Sequence, residues 1–151
     1  MKFQGHAHRS IDPKGRLMLP PDFRDTVLAE TPDGAEGRIV LTLFEKHVVG
    51  MSPEQWSALE QELAKVKTPS RDLQLMKRIL FSGYVEVTLD GQGRIQLPTH
   101  LRKSGRLDKD VVVFGVVRRF VIWAATEFED MLGLVLDVSQ VLADYGVQLP
   151  F

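Results

Sequence analysis

Two five-residue stretches carry the side chains best suited to chemistry. One is "DPKGR", Asp12 to Arg16, and the other is "DGQGR", Asp90 to Arg94, 78 residues further on. Asp12 at the head of a tight turn can accept the backbone N–H two residues on, and Pro13 presets φ for the next position. Gly15 supplies the left-handed residue that closes a bulged hairpin. Asp90 and Gly93 repeat the scheme without the proline. Asp12, Gly15, Asp90 and Gly93 are therefore the turn formers, but turn geometry makes no demand on Arg16 or Arg94. Two readings of the arginines stay open at this point. Each arginine could simply contact the aspartate across its turn, a weak bond on an exposed surface. Each could instead be held at the mouth of a turn, its planar fork free for a phosphate or for the O6/N7 edge of guanine. Lys14 or Gln92 would then flank it at the tip.

Other arrangements point less clearly to a site. His6 and His8 lie two apart on an expected strand and so share a face, but no third metal ligand is evident. "GQGRIQ" lacks the third glycine of a dinucleotide loop and leads into a strand. Ser10 and Asp12 near His8 have no spacing that specifies a triad. There is no Walker loop, nucleophile elbow or H-E-x-x-H. Cysteine is absent, which removes disulfides and thiol chemistry. No enzyme, cofactor, metal or small-molecule substrate is expected.

The two turns sit inside a longer repeat. "FQGHAHRSIDPKGRLMLPPDFR" (3–24) aligns without a gap on "FSGYVEVTLDGQGRIQLPTHLR" (81–102), matching Leu19-Pro20 to Leu97-Pro98 and Arg24 to Arg102. "RIVLTLFEKHVVGMSPEQW" (38–56) then aligns on "DVVVFGVVRRFVIWAATEF" (110–128), the offset shortened by a polar loop at 31–37. Each unit reads strand, turn, strand, short helix, strand, turn, strand, helix. Ser52 and Pro53 begin a helix whose Trp56, Leu59, Leu63 and Val66 share a face, and Phe128, Met131, Leu132 and Val135 are expected to do the same. Residues 3–66 form one repeat, 67–80 a linker containing a helix capped by Ser70, and 81–143 the second repeat. Apolar residues on more than one face of 126–143 suggest either a buried helix or a subunit interface. Four short strands make a thin core for one unit, so the expected fold is mainly β with flanking helices, both halves closing round a shared pseudo-two-fold centre.

Composition is that of a soluble globular chain, 44% apolar and 26% charged, with a net charge of −1. No run of about 18 apolar residues suggests a membrane span, and "MKFQGHAHRS" lacks a signal-peptide h-region, so a cytoplasmic location is expected. The charge is unevenly spread. Residues 1–24 carry five bases against two acids, 65–109 ten against four, and 25–64 two against eight. Residues 120–151 carry five acids and no base. Each basic block contains one of the two turns, a distribution that suits nucleic acid if the bases gather on one face.

Paired "D-x-x-G-R" turns, each followed by "L-P-x-x-[FL]-R", with the "F-x-G" openings and the "F-V-I-W" stretch near 120, resemble the MraZ family over about 140 residues. That family comprises tandem-repeat proteins of the AbrB/SpoVT-like swapped-hairpin group. The resemblance implies a double-split β-barrel built by both halves. It implies a nucleoid-associated transcriptional regulator that binds double-stranded DNA at short direct repeats upstream of the cell-division and cell-wall gene cluster containing its own gene. It also implies a homo-oligomeric ring. Carried onto this chain, the DNA-contacting arginine is Arg16, with Arg94 its partner and Lys14 the turn-tip lysine. Gln92 departs from that pattern, which leaves the equality of the two turns open. Arg9, in the first basic block, is counted with the DNA-binding set. With no asparagine in the chain, a G-rich or mixed site is expected over an A-tract. The alternative is an antitoxin-like, protein-binding module of the same group.

Overall fold

In the computed structural model, which describes residues 2–151, each Asp-x-x-Gly-Arg segment joins two short strands. The first half contains β1 (His6–Ser10), β2 (Arg16–Met18), α1 (Pro21–Ala29), β3 (Arg38–Phe44), β4 (His47–Met51) and α2 (Pro53–Ala64). The helix α3 (Arg71–Gly83) leads to β5 (Val85–Thr88), β6 (Arg94–Gln96), α4 (Thr99–Ser104), β7 (Asp110–Val116), β8 (Arg119–Ala124) and α5 (Ala125–Leu132). A last helix, α6 (Val138–Asp144), follows. The order expected from the sequence is thus present in both halves. Caps set the helix starts: the Ser52 hydroxyl accepts from the Gln55 amide at 3.1 Å, and Ser70 does the same for Leu73.

The chain is mixed α/β, with antiparallel sheets and six helices among the described residues. One sheet has the order β1-β7-β8-β4-β3-β5, and the other pairs β2 with β6. Each half lends its first strand to the other: β1 pairs with β7, and β5 pairs with β3. Exchanging equivalent strands of the two halves reverses the six-strand order into itself. The β2–β6 ribbon obeys the same symmetry, with Leu17 opposite its repeat mate Ile95. Alternation along these strands turns Leu17 and Ile95 inward. There they join Leu19, Leu97, Phe23, Leu101 and Phe120 in the main core. A second cluster under α2 and α3 contains Val40, Val49, Trp56, Leu63 and Leu80. No helix is long and apolar enough to cross a membrane among the described residues.

Three expectations need correction. The turns are not ordinary hairpins. Asp12 N–H donates to the Arg16 carbonyl at 3.0 Å, but beyond that closing bond β1 and β2 part to different sheets. Each strand finds its ladder in the other half, so neither needs its sequence neighbour. Next, α3 continues through 81–83, so the two "F-x-G" openings differ in conformation. Phe3 is buried and bridged to Val117, whereas Phe81 ends a helix and is exposed. Last, the helix after β8 stops at Gly133, leaving Leu132 and Val135 exposed, the latter at 96%. The C-terminal segment is therefore not a buried helix: Leu134, Leu136, Val138 and Tyr145 are all exposed.

Candidate nucleic-acid interface

Both turns are built by their aspartates. Asp12 Oδ1 accepts from the amides of Lys14 and Arg16, each at 2.9 Å, and Oδ2 accepts from Arg16 Nε at 2.7 Å. Asp90 repeats this for Gln92, Arg94 and Arg94 Nε, all at 2.9 Å. Gly15 and Gly93 both adopt a φ of 81°, the left-handed conformation that closes each turn at low cost only for glycine. Three N–H donors converge on each carboxylate. The backbone N–H of Arg16 does most to hold the Asp12 carboxyl below its ordinary value of 3.8, with the Arg16 guanidinium adding to it. Arg94 acts on Asp90 in the same way.

The Asp–Arg contact and the presented fork are thus one arrangement. Aspartate holds Nε and fixes the plane of the guanidinium. Among the described residues, neither Nη of Arg16 nor of Arg94 is used in a hydrogen bond, and the side chains are 33% and 25% exposed. A fork whose plane is already fixed loses little freedom when it meets a phosphate or a guanine edge.

The ribbon decides where the forks stand. Arg16 pairs with Gln96 and Met18 with Arg94, so these four side chains share the face opposite the buried Leu17 and Ile95. The turns enter from opposite ends of the ribbon, and two strand steps put the arginine positions roughly 7 Å apart along it. Each turn is also tied to the other half: Gly15 carbonyl accepts from Leu97 N–H at 2.8 Å, and Gly93 carbonyl from Leu19 N–H at 3.0 Å.

The remaining expected residues fall as follows. Lys14 and Gln92 occupy the exposed turn tips. Arg9 donates from Nε to the Met18 carbonyl at 3.2 Å and from Nη1 to the His8 carbonyl at 3.0 Å, bracing β2 from β1. His6 and His8 lie on one exposed face, and His6 packs on Phe128.

Sequence reasoning missed Gln96, whose amide donates to the Lys14 carbonyl at 2.6 Å. Its repeat mate is Met18. Arg102 and Arg24, matched in the repeat but given no role, lie against the turns of the opposite halves. A Cβ on Gly15 would stand 3.1 Å from the Arg102 guanidinium carbon, and one on Gly93 would stand 3.1 Å from Arg24 Cδ. The period-two pattern of "RIQL" could have put Gln96 beside Arg94. Only the cross-half pairing puts it beside Lys14.

The geometry defines a tandem-repeat α/β chain that presents two aspartate-held arginines from the ends of one shared ribbon. The family described as "MraZ protein, putative antitoxin-like" matches residues 80–139. A protein of Maridesulfovibrio salexigens named "Transcriptional regulator MraZ" is 54% identical over 152 residues, covering 100% of both chains. Proteins with that name from Oleidesulfovibrio alaskensis and Nitratidesulfovibrio vulgaris are 42% and 40% identical, over 99% and 100% of both chains. The chain belongs to the MraZ family.

Proposed function

We propose that this chain is a sequence-specific transcriptional regulator that binds double-stranded DNA through Arg16 and Arg94. Lys14 and Gln92 contact DNA at the turn tips, and Arg9, which braces β2, belongs to the same DNA-binding set. The observation that carries this reading is the pair of guanidinium groups, each anchored through Nε with its two Nη groups uncommitted. The names of the relatives support it. A separation of roughly 7 Å along the ribbon lets both forks enter one major groove, about 12 Å wide. The interleaved strand order supports a double-split barrel of two swapped-hairpin repeats, 3–66 and 81–143, joined by 67–80.

The target is a set of short direct repeats upstream of a cell-division and cell-wall gene cluster that includes the chain's own gene. The protein acts in the cytoplasm, associated with the nucleoid. A homo-oligomeric ring lets neighbouring subunits engage successive repeats, so three repeats bind far more tightly than one. The apolar residues exposed after Leu132 supply a surface for such assembly. A gel shift on the region upstream of the coding sequence, at two salt concentrations, tests the reading. Wild type binds with steep salt dependence, and Arg16→Ala weakens binding by roughly 5- to 150-fold. Unchanged binding by Arg16→Ala overturns it.

The same exposed segment favours a second reading, in which it grips a different protein in the manner of an antitoxin. Sedimentation of the purified chain separates the two: a monomer at all concentrations rules out the ring.

A further inference from the structure

The two halves differ in charge immediately beside the turns. Arg102 rests its guanidinium against Gly15 of the opposite half, with Cζ and Nη2 each 3.1 Å from where a Cβ would stand. Its Nε donates to the Leu97 carbonyl at 3.0 Å and Nη2 to Thr99 Oγ1 at 3.1 Å. Both acceptors are neutral, and among the described residues none of the ion pairs involves Arg102. The next residue is Lys103, which is exposed. Arg24 is the repeat mate of Arg102 and packs its Cδ against Gly93. Its neighbour is Asp25 rather than a lysine, and Arg24 Nε lies 3.3 Å from Asp25 Oδ1. The first turn therefore gathers Lys14, Arg16 and Arg102 around one carboxylate, Asp12. The second gathers Arg94 and Arg24 around two, Asp90 and Asp25.

Resting on the DNA-binding reading above, we infer that Arg102 is a phosphodiester-binding residue of the first turn, supplied by the second half of the chain, and that Asp25 withholds Arg24 from the same task at the second turn. The first turn is then a composite oxyanion site. Arg16 and Arg102 flank Gly15, whose missing side chain lets the second guanidinium approach the turn. The hydrogen bonds to Leu97 and Thr99 hold Arg102 in place without neutralising it. A DNA backbone phosphate is the ligand whose charge and size suit such a site. A purely structural staple would need the hydrogen bonds and the packing, but not the uncancelled charge.

Salt dependence separates these roles, because each phosphate contact contributes about 0.9 to the slope of log K against log salt. The full-length chain and four variants are titrated against a fluorescein-labelled duplex from the region upstream of the coding sequence, at five salt concentrations. Melting temperatures are read in parallel. Arg102→Gln is expected to lower the slope by about one and to weaken binding severalfold, and Arg102→Lys to keep the slope. Arg24→Gln should change the slope little, whereas Asp25→Asn, at an exposed site, should raise it by releasing Arg24. An unchanged slope for Arg102→Gln, or a loss in Arg102→Lys equal to that in Arg102→Gln, overturns the inference and leaves the DNA-binding reading intact. If Arg102→Gln does not fold, Arg102→Lys and Asp25→Asn decide: loss of slope in the first or no change in the second counts against it. Absence of duplex binding by wild type at every salt concentration overturns both.

Discussion

Asp12 and Asp90 hold the same three groups: the amide two residues on, the amide four residues on, and the Nε of that fourth residue. Beyond those bonds, the left-handed glycine and its carbonyl's tie to the other half, the surroundings of the turns differ. The first has a lysine tip, a carbonyl clamped by Gln96, and at its glycine an Arg102 hydrogen-bonded to the Leu97 carbonyl and Thr99 hydroxyl. The second has a glutamine tip, the Met18 sulfur where the clamp would be, and an Arg24 engaged by Asp25. The local part of the duplicated turn is kept within five residues. Apart from the tip residue, the variable part comes from the opposite half, because β2 and β6 pair with each other. A substitution in one half is therefore felt at the other half's turn.

The largest effect should come from breaking what the halves share. Leu17 and Ile95 face each other at the centre of the ribbon, and both are essentially without solvent exposure. Leu17→Ala and Ile95→Ala should each cost about 2–5 kcal/mol in urea unfolding. Similar losses keep the halves equivalent at their core, whereas a gap of more than about 2 kcal/mol would place the asymmetry inside the fold. Next come the forks. Arg16→Ala should cost about 1–3 kcal/mol of DNA binding, roughly 5- to 150-fold, measured by anisotropy on the upstream duplex. Arg94→Ala should cost less, since its surroundings carry less positive charge. An equal or larger loss at Arg94 would show that those surroundings do not rank the turns.

Much of this arrangement was legible in the sequence. Asp, Gly and the gapless repeat carry the turn, because the hydrogen bonds that build it run within five residues. The element order was legible for the same local reason, with Ser52 and Ser70 acting as caps. What was not legible depends on contacts far apart in the chain. β1 reaches β7 and Gln96 reaches Lys14, and periodicity says which face a residue occupies but not which strand lies beside it. The stop at Gly133 was missed because Leu134, Leu136 and Val138 continue an apolar pattern that the folded body leaves uncovered.

Smaller effects test the surroundings one at a time. Lys14→Gln gives the first turn the tip of the second and should lower the salt slope of DNA binding by about one phosphate, while Gln92→Lys should raise it. No response from either would remove the tips from the comparison. Gln96→Met removes the hydrogen bond to the Lys14 carbonyl. The loss should fall near the low end of about 0.5–1.5 kcal/mol in thermal or urea unfolding, because the bond is exposed. Met18→Gln supplies the missing donor at the second turn and should slow exchange of the Gln92 and Gly93 amides.

The smallest effect asks whether the aspartate cradles are as alike as their hydrogen bonds. Donors stabilise the charged carboxylate, so the folded values of Asp12 and Asp90 lie below 3.8. A carboxyl depressed on folding contributes stability in full above its unfolded value and loses it as pH falls through the folded one. Both turns should therefore be intact above about pH 5 and loosen below about pH 4. The amide signals of Arg16 and Arg94, followed by NMR from pH 5 to pH 2, report this directly because each amide donates to the titrating oxygen. Coincident midpoints are expected, since both carboxylates accept from the same three donors. If Arg94 shifts at clearly higher pH than Arg16, the Gln96 clamp reaches into the cradle itself, and the two turns differ in construction as well as in surroundings.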